Sequence, residues 1–452
     1  MEKTGIQPKS DFETVDFGDK RLNKRLQMVI ENSTKNAQKS ILGAEGDRSG
    51  AKAFYRLLGN ERFDHEKLAE AAKAGTISRM EGTVLAIQDT TDVNLNGHRK
   101  TEGLGYSSEH VRGVKVHSCI AVTPESLPIG LICQSYESGP EGKSTLTKEE
   151  KAARATEEKE SFRWLKTLDE ATIEIPEDIH VVTICDREGD FYELYAQALE
   201  WGEDFVIRVM HDRDTEGNVK VLSQISRTKA AGQATVNIPR DSRANIPARR
   251  AQMEIAYCTV NIKKPRSVTD ATLPDTLEMN IVRITEVNAK DPQKAIEWIL
   301  ATSLPISSFD EAMTIVEYYI QRWKIERFHY VLKSGCNAER IQQRTYEKIK
   351  SMLLIYSVIA MFIMTVTYIG RVLPDTSCDV FFDTDEWQIL YRITHKTKIP
   401  PSKPYSMADA VKYLGQLGGY RRAPSDGPPG LKSIWDGLFK LWEFLVLFVG
   451  QV

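Results

Sequence analysis

Cysteine is scarce and unpaired in this 452-residue chain: six residues, at 119, 133, 185, 258, 336 and 378, with no CxxC or other paired spacing. That excludes a disulfide framework and a structural zinc site, and it predicts reduced thiols in a cytoplasmic protein. Net charge is nearly absent as well, at −3, so any case for a polyanionic partner must rest on local asymmetry. The chain has no Gly-x-x-x-x-Gly-Lys-Ser/Thr loop, and no ATP-driven step is expected. It has no internal repeat and no low-complexity tract. The opening Met-Glu-Lys-Thr-Gly carries no apolar run, so no signal peptide is expected. Long hydrophobic runs are limited to 352–369, flanked by Lys350 and Arg371 and interrupted by Tyr356, Ser357, Thr365, Thr367 and Tyr368. With no second such segment, this one predicts a buried core helix rather than a membrane span.

What is present describes a globular protein of two or three domains, with 41% hydrophobic and 27% charged residues. Residues 1–70 read as a small helical domain. Between Lys20 and Arg62, ten basic residues stand against four acidic ones. Lys20, Arg21, Lys24 and Arg25 recur at helical spacing, while Leu22, Leu26, Val29 and Ile30 form an apolar stripe. Such a helix offers a cationic face to DNA phosphates, and Arg62 belongs to the same cluster. A solvated helix face is the plainer reading of any single residue.

Residues 71–370 read as an α/β domain. Val84–Ile87 and Ile179–Ile184 are short apolar runs that predict buried strands, and each leads into a carboxylate, Asp89 and Asp186. Catalytic groups are commonly displayed at such strand ends. Val114–Val122 and Ile129–Tyr136 are further strands, and 143–168 reads as a charged helix. From about 211 to 290 the chain turns basic and β-rich, with strands at Gln233–Ile238, Gln252–Ile262 and Glu278–Val287. Arg240, Arg243, Arg249, Arg250, Lys263, Lys264 and Arg266 lie in or between them. This stretch reads as an insertion, after which Ala295–Thr302 resumes the parent sheet. A helix is predicted from Ser308, with Glu311 completing a capping box. Residues 371–452 form a C-terminal helical region with an aromatic end at Trp435, Phe439, Trp442, Phe444 and Phe448.

The helix after Ser308 carries the most informative spacing. Tyr319, Arg322, Glu326 and Lys333 stand at offsets of 0, 3, 7 and 14. On an α-helix advancing about 100° per residue they fall within roughly 60° of one another. A carboxylate between two permanent cations and a phenol suits a metal ion beside a phosphodiester. Asp89, Asp186 and Glu326 then form an all-oxygen set, which favours Mg²⁺, with Mn²⁺ able to substitute. Metal ions on such a set activate an attacking hydroxyl and stabilise the leaving oxygen of a phosphodiester. The plainer readings are a turn or N-cap aspartate and a surface Glu326–Arg322 ion pair. Asp92, Glu188 and Asp190 are rivals for the metal role, and His329 pairs with Glu326 as a weaker di-iron-like motif.

On these residues the chain resembles the DDE transposases of the bacterial insertion-sequence-four family. The resemblance rests on Gln88-Asp89-Thr-Thr, Cys185-Asp186-Arg-Glu-x-Asp190 and the Tyr-(2)-Arg-(3)-Glu-(6)-Lys signature. Further carriers are the N-terminal Gly-Asp-Lys-Arg, Arg112–Ser118, Trp298–Ser303 and Leu417–Tyr420. It implies an RNase H-like mixed sheet flanked by helices, a β-rich insertion, an N-terminal domain recognising transposon ends and a C-terminal helical dimerisation domain. It also implies a cut-and-paste reaction on double-stranded DNA by a homodimer, through a hairpin intermediate, in the bacterial cytoplasm at the nucleoid. Asp89, Asp186 and Glu326 would hold the metals. Tyr319, Arg322, Lys333 and Arg208 would hold phosphates, and Trp298 would stack on a flipped base. A core role on its strand is the plainer reading of Trp298. Tyr330 stands where a relative in that family has a basic residue. The competing functions are a metal-dependent endonuclease without strand transfer and a non-catalytic DNA-binding regulator.

Overall fold

A computed structural model of the chain describes residues 7–141, 161–238, 249–289, 291, 295–421 and 427–449. The opening Met1–Gly5, the first part of the 143–168 helix, Arg240, Arg243 and the Phe448 side chain lie outside the described residues. Five N-terminal helices come first: α1 (Pro8–Asp11), α2 (Lys20–Lys35), α3 (Ile41–Glu45), α4 (Arg48–Leu58) and α5 (His65–Ile77). Strands β1 (Thr83–Asn94), β2 (Tyr106–Ser108), β3 (Val111–Val122) and β4 (Pro128–Glu137) follow. Next are α6 (Phe162–Thr172), β5 (His180–Cys185), α7 (Tyr192–Trp201), β6 (Asp204–Arg208) and α8 (Val221–Arg227). Then come β7 (Gly232–Ile238), β8 (Arg249–Lys263), β9 (Thr276–Val287) and β10 (Glu297–Thr302). The last helices are α9 (Phe309–Ile320), α10 (Trp323–Tyr330), α11 (Tyr346–Val372), α12 (Thr384–His395), α13 (Met407–Leu417) and α14 (Leu431–Val449). The architecture is mixed α/β with helical regions at both ends of the chain.

The chain divides into two compact units, one of Met1–Glu81, Thr90–Ser144 and Lys324–Val452, the other of Gly82–Asp89 and Thr145–Trp323. In the first unit, side-chain caps set where the N-terminal helices start. Asp19 accepts from Arg21 N at 2.8 Å, Asp47 from Gly50 N at 2.7 Å and Asp64 from Glu66 N at 2.9 Å. On α2 the predicted stripe buries Leu26, Val29 and Ile30, and Lys20, Arg21 and Lys24 stay exposed. β3 pairs antiparallel with β2 and β4. The apolar helix α11 is the core of this unit, with Ser351–Thr367 buried throughout. Two of its buried polar side chains reach across to the sheet: Thr365 Oγ1 donates to Pro128 O at 2.9 Å and Ser357 Oγ to Gln134 Oε1 at 3.0 Å. That is the packing expected of a core helix.

In the second unit, the first part of β1 runs parallel to β5, and β5 parallel to β6. β10, β9, β8 and β7 continue the sheet antiparallel in that order. Because side chains alternate along a strand, the sheet has two distinct faces. Cys185, Phe205, Ile207 and Ala301 join a core with Trp164 and Leu168 of α6, Tyr192 and Tyr195 of α7, and Val221 and Ile225 of α8. Helix α9 packs on this sheet, and its start is the predicted capping box, Ser308 N to Glu311 Oε2 at 3.0 Å with Glu311 N to Ser308 Oγ at 3.2 Å.

Asp190, a rival for the metal role, is spent on the fold instead. It is 2% exposed. Its Oδ1 accepts from the Tyr195 hydroxyl at 2.7 Å and from the Arg213 guanidinium, and its Oδ2 from His211 N at 2.7 Å and from Met210 N. Arg213 also donates to the Asp190 carbonyl at 2.9 Å. With every lone pair engaged, the carboxylate ties the loop after β5 to the segment after β6. Breaking such a buried pair strands a guanidinium, so Asp190→Ala should lower stability by about 3–5 kcal/mol. Urea unfolding of the variant checks this, with a loss under about 1 kcal/mol counting against the anchoring role.

Candidate active site

Strand register builds the site. Ile87 pairs with Ile184, and Ile184 with Val206, giving one buried row across β1, β5 and β6. Two residues further on, the same face carries Asp89, Asp186 and Arg208. Adjacent strands lie about 4.8 Å apart, so the two carboxylates are neighbours by construction. Asp186 follows the end of β5, as expected, and caps the tight turn Arg187–Gly189, accepting from Glu188 N at 2.8 Å. The turn needs glycine: a Cβ on Gly189 would stand 2.5 Å from the Cys185 Cβ. Asp89 differs from expectation. It lies inside β1, which runs on to Asn94, but two residues past its last pairing with β5.

Both aspartates sit close to the Cys185 thiol, which burial first and then Asp186 and Asp89 push well up. The thiol faces the opposite core and stays protonated. Arg322 approaches Asp89, Nη1 to Oδ2 at 3.8 Å, with both side chains 17% exposed. Arg208 is drawn below the usual arginine range by burial, and the groups around it are the Tyr319 phenol, Arg187 and Arg322. It hydrogen-bonds the phenol of Tyr319, and its Nη2 donates to Glu297 O at 3.3 Å. Tyr319 is 4% exposed and its hydroxyl is pushed up by burial, against the influence of Arg322 and Arg208. Trp298, half-buried on β10, meets the Tyr319 ring edge-on, centroids 5.3 Å apart at 67°. The unit therefore brings together Asp89, Asp186, Arg208, Trp298, Tyr319 and Arg322. Arg187 was not singled out from the sequence, although it stands inside the Cys-Asp-Arg-Glu motif. β6 was not predicted either, and Arg208 entered through resemblance alone.

The predicted continuous helix through Lys333 is broken. α9 ends at Ile320, and Gln321 N and Arg322 N bond back three residues, to Tyr318 O at 3.1 Å and Tyr319 O at 3.0 Å. Arg322 thus occupies a turn. After α10, Val331–Gly335 forms a π-helical turn in which Cys336 N reaches Val331 O at 2.9 Å. The angular bunching expected from a regular helix does not apply, because residues per turn change twice. Glu326 lies half-buried in the first turn of α10, and Lys333 half-buried in the π turn, both within the first unit. His329 is buried beside Phe328, ring centroids 5.5 Å apart, as a packed histidine. Asp92 lies half-buried in the later part of β1, and Glu188 is exposed.

The N-terminal candidates separate. Lys20, Arg21, Lys24 and Arg62 are exposed, Arg21 pairing with Asp19 and Arg62 donating to Gly18 O at 3.3 Å. Arg25 turns inward: Nη2 donates to Gly50 O at 2.8 Å and lies 3.4 Å from Glu45 Oε2, leaving it 19% exposed. Its charge holds α3 and α4 to α2.

A carboxylate pair at the ends of neighbouring parallel strands, flanked by arginines, is an arrangement able to hold a hard cation beside a polyanion. Three family models match the chain in succession: transposase DNA-binding over residues 8–63, transposase DDE domain over 158–363, and transposase Tn5 dimerisation domain over 358–449. The DDE match contains Asp186 and Glu326 and begins after Asp89. The chain belongs to the Tn5-like DDE transposases. It is a cut-and-paste transposase that binds DNA, cleaves it, transfers strands and forms dimers. Among solved structures it is similar to the piggyBac transposase synaptic complex with hairpin DNA, at 10% identity and TM-score 0.38, over 80% of this chain and 70% of that one. That likeness is too distant to bear on mechanism.

DDE transposases use divalent metal ions. Among the described residues no three His, Cys, Asp or Glu side chains stand together as a metal cluster. The Asp89–Asp186 pair offers oxygen donors alone, since the neighbouring thiol is protonated and turned away. Such donors fit a hard divalent cation. If Arg322 contacts a DNA phosphate, Arg322→Ala should lower the salt dependence of end binding by about one phosphate contact. Binding isotherms from about 50 to 200 mM salt measure that slope, and an unchanged slope removes the assignment.

Proposed function

We propose that Asp89, Asp186 and Glu326 together hold Mg²⁺, or Mn²⁺ in its place, at the scissile phosphodiester of a transposon end. The reading is carried by one observation, the Asp89–Asp186–Arg208 row with Arg322 beside it. Bound ions would supply activation of the attacking hydroxyl and neutralisation of charge on the leaving oxygen. The remaining work belongs to the protein. Arg322, Arg208, the Tyr319 hydroxyl and Lys333 hold phosphate oxygens, so the strand is presented in line for displacement. Trp298 offers an indole face to a base taken out of the stack, a contact indifferent to base identity.

The reaction sequence is four displacements at one centre. Water opens one strand and frees a 3′-hydroxyl. That hydroxyl attacks the opposite strand and closes a hairpin, water opens the hairpin, and the liberated 3′ end attacks target DNA. Lys20, Arg21, Lys24 and Arg62 in residues 1–70 bind the end duplex, residues 71–370 carry catalysis and residues 371–452 the dimer contact. Two copies pair two ends at the nucleoid.

Asp186→Asn should reduce cleavage of an end duplex below detection, while end binding changes by less than about threefold, since only the metal donor is altered. Parallel loss of binding and cleavage would argue against a purely catalytic role. Chelation should abolish cleavage, and added Mg²⁺ or Mn²⁺ should restore both cleavage and covalent joining of a 3′-hydroxyl end to target DNA. Restored cleavage without joining, followed on denaturing gels, would leave an endonuclease instead.

A further inference from the structure

The first unit holds a cationic cluster that the reaction above does not use. Lys324 and Arg327 lie on α10, and Arg371 at the end of α11. The Lys324 ammonium stands 4.2 Å from the Tyr368 ring centroid, and the Arg371 guanidinium 5.1 Å from the same ring. The Arg327 guanidinium stacks 5.2 Å from the Tyr330 centroid and acts electrostatically on both Tyr368 and Arg371. Among the described residues, the polar partners of these cations are not carboxylates. Lys324 Nζ donates to Ser126 Oγ, and Arg371 Nη2 donates to Pro429 O at 2.8 Å. Three like charges therefore share two rings, one hydroxyl and one carbonyl.

Two further features set this apart from a solvated helix face. Ser126, whose hydroxyl meets Lys324, has φ of 87°, a left-handed backbone that serine rarely adopts. It sits in the turn between β3 and β4, where Ser126 N donates to Thr123 O at 2.9 Å. Strain of this kind persists where the surroundings over-determine a residue, often at ligand sites. The cluster also opens to solvent, through exposed Arg371 and Tyr330. Glu326 lies two residues from Lys324, roughly 160° around the helix, so it is directed away from that cation.

We propose that Lys324, Arg327 and Arg371 bind a phosphate of the DNA backbone. The chemistry required is an oxyanion with several acceptor oxygens, which planar guanidinium edges and an ammonium satisfy together. Two cations already lie over Tyr368 and one over Tyr330, and a contact with a backbone phosphate is independent of sequence. The proposal rests on the reading of this chain as a DNA-cutting transposase. Wild-type cleavage of an end duplex tests that reading separately.

The experiment measures binding of the full chain to an end duplex and to an unrelated duplex from about 50 to 200 mM salt. Lys324→Gln with Arg327→Gln should flatten the log–log slope by about 0.9, since losing the one phosphate contact removes about 0.9. The change should be equal on both duplexes, and Arg327→Lys should keep the wild-type slope. An unaltered slope in the folded double variant overturns the proposal. Inorganic phosphate distinguishes the other source of the same chemistry: if it raises the thermal midpoint of wild type alone while the DNA slopes agree, the site takes free phosphate and the DNA assignment falls. Should the double variant not fold, arginine modification of the unaltered protein decides: duplex DNA should protect Arg327 and Arg371, and absence of protection overturns the proposal.

Discussion

The parallel register of β1, β5 and β6 is the constraint on which this enzyme's chemistry depends. Burial of Ile87, Ile184 and Val206 in one row sets the level at which the strands meet. A slip of one residue would turn Asp89 to the opposite face, toward the core that holds Cys185 and Ile207, so the cost of burying a carboxylate there opposes the slip. The same register concentrates negative charge. Like charges held close together repel, the more so where solvent is partly excluded. Arg322 beside Asp89, and Arg208 and Arg187 near Asp186, offset that repulsion in the protein by itself. A divalent cation would offset it further, which is why a site of this kind has affinity for one.

Carboxylates four residues apart are put to opposite uses. Asp186 caps a turn with one backbone contact and faces the arginine-lined row. Asp190 is saturated by Tyr195, Arg213 and two backbone amides and takes no ligand. The second supports the first, because anchoring the loop after β5 keeps the turn that presents Asp186 from relaxing. Cations divide in the same manner. Arg25 is consumed by Glu45 and Gly50 to join α3 and α4 to α2, whereas Lys20 and Lys24 on the same helix stay exposed.

Much of the fold can be read from periodicity alone. The strands ending at Val122, Cys185, Ile238, Val287 and Thr302, the capping box at Ser308 and the buried character of α11 follow from apolar runs, alternation and cap residues. β6 escaped, because Asp204–Arg208 is a five-residue run whose strand character comes from pairing on both sides with β5 and β10. The extension of β1 past Asp89 escaped for a similar reason. Thr90–Asn94 forms no apolar run, with Val93 its single hydrophobic residue, and pairing with β3 holds it in the sheet.

The order of aspartate, aspartate and the Tyr-Arg-Glu-Lys spacing was determined by the sequence, and with it the chemical class: hard oxygen donors beside permanent cations. Which carboxylates face the arginines and which are spent on packing was decided only in three dimensions, as Asp186 and Asp190 show. The same holds for the break after Ile320. Spacing assumes a constant number of residues per turn, whereas the backbone tightens at Arg322 and widens at Lys333, where its hydrogen bonds reach back three residues and then five. Local pattern specifies residue types along a strand or helix. Long-range register and non-ideal turns specify where those side chains end up, because both are set by partners distant in the chain.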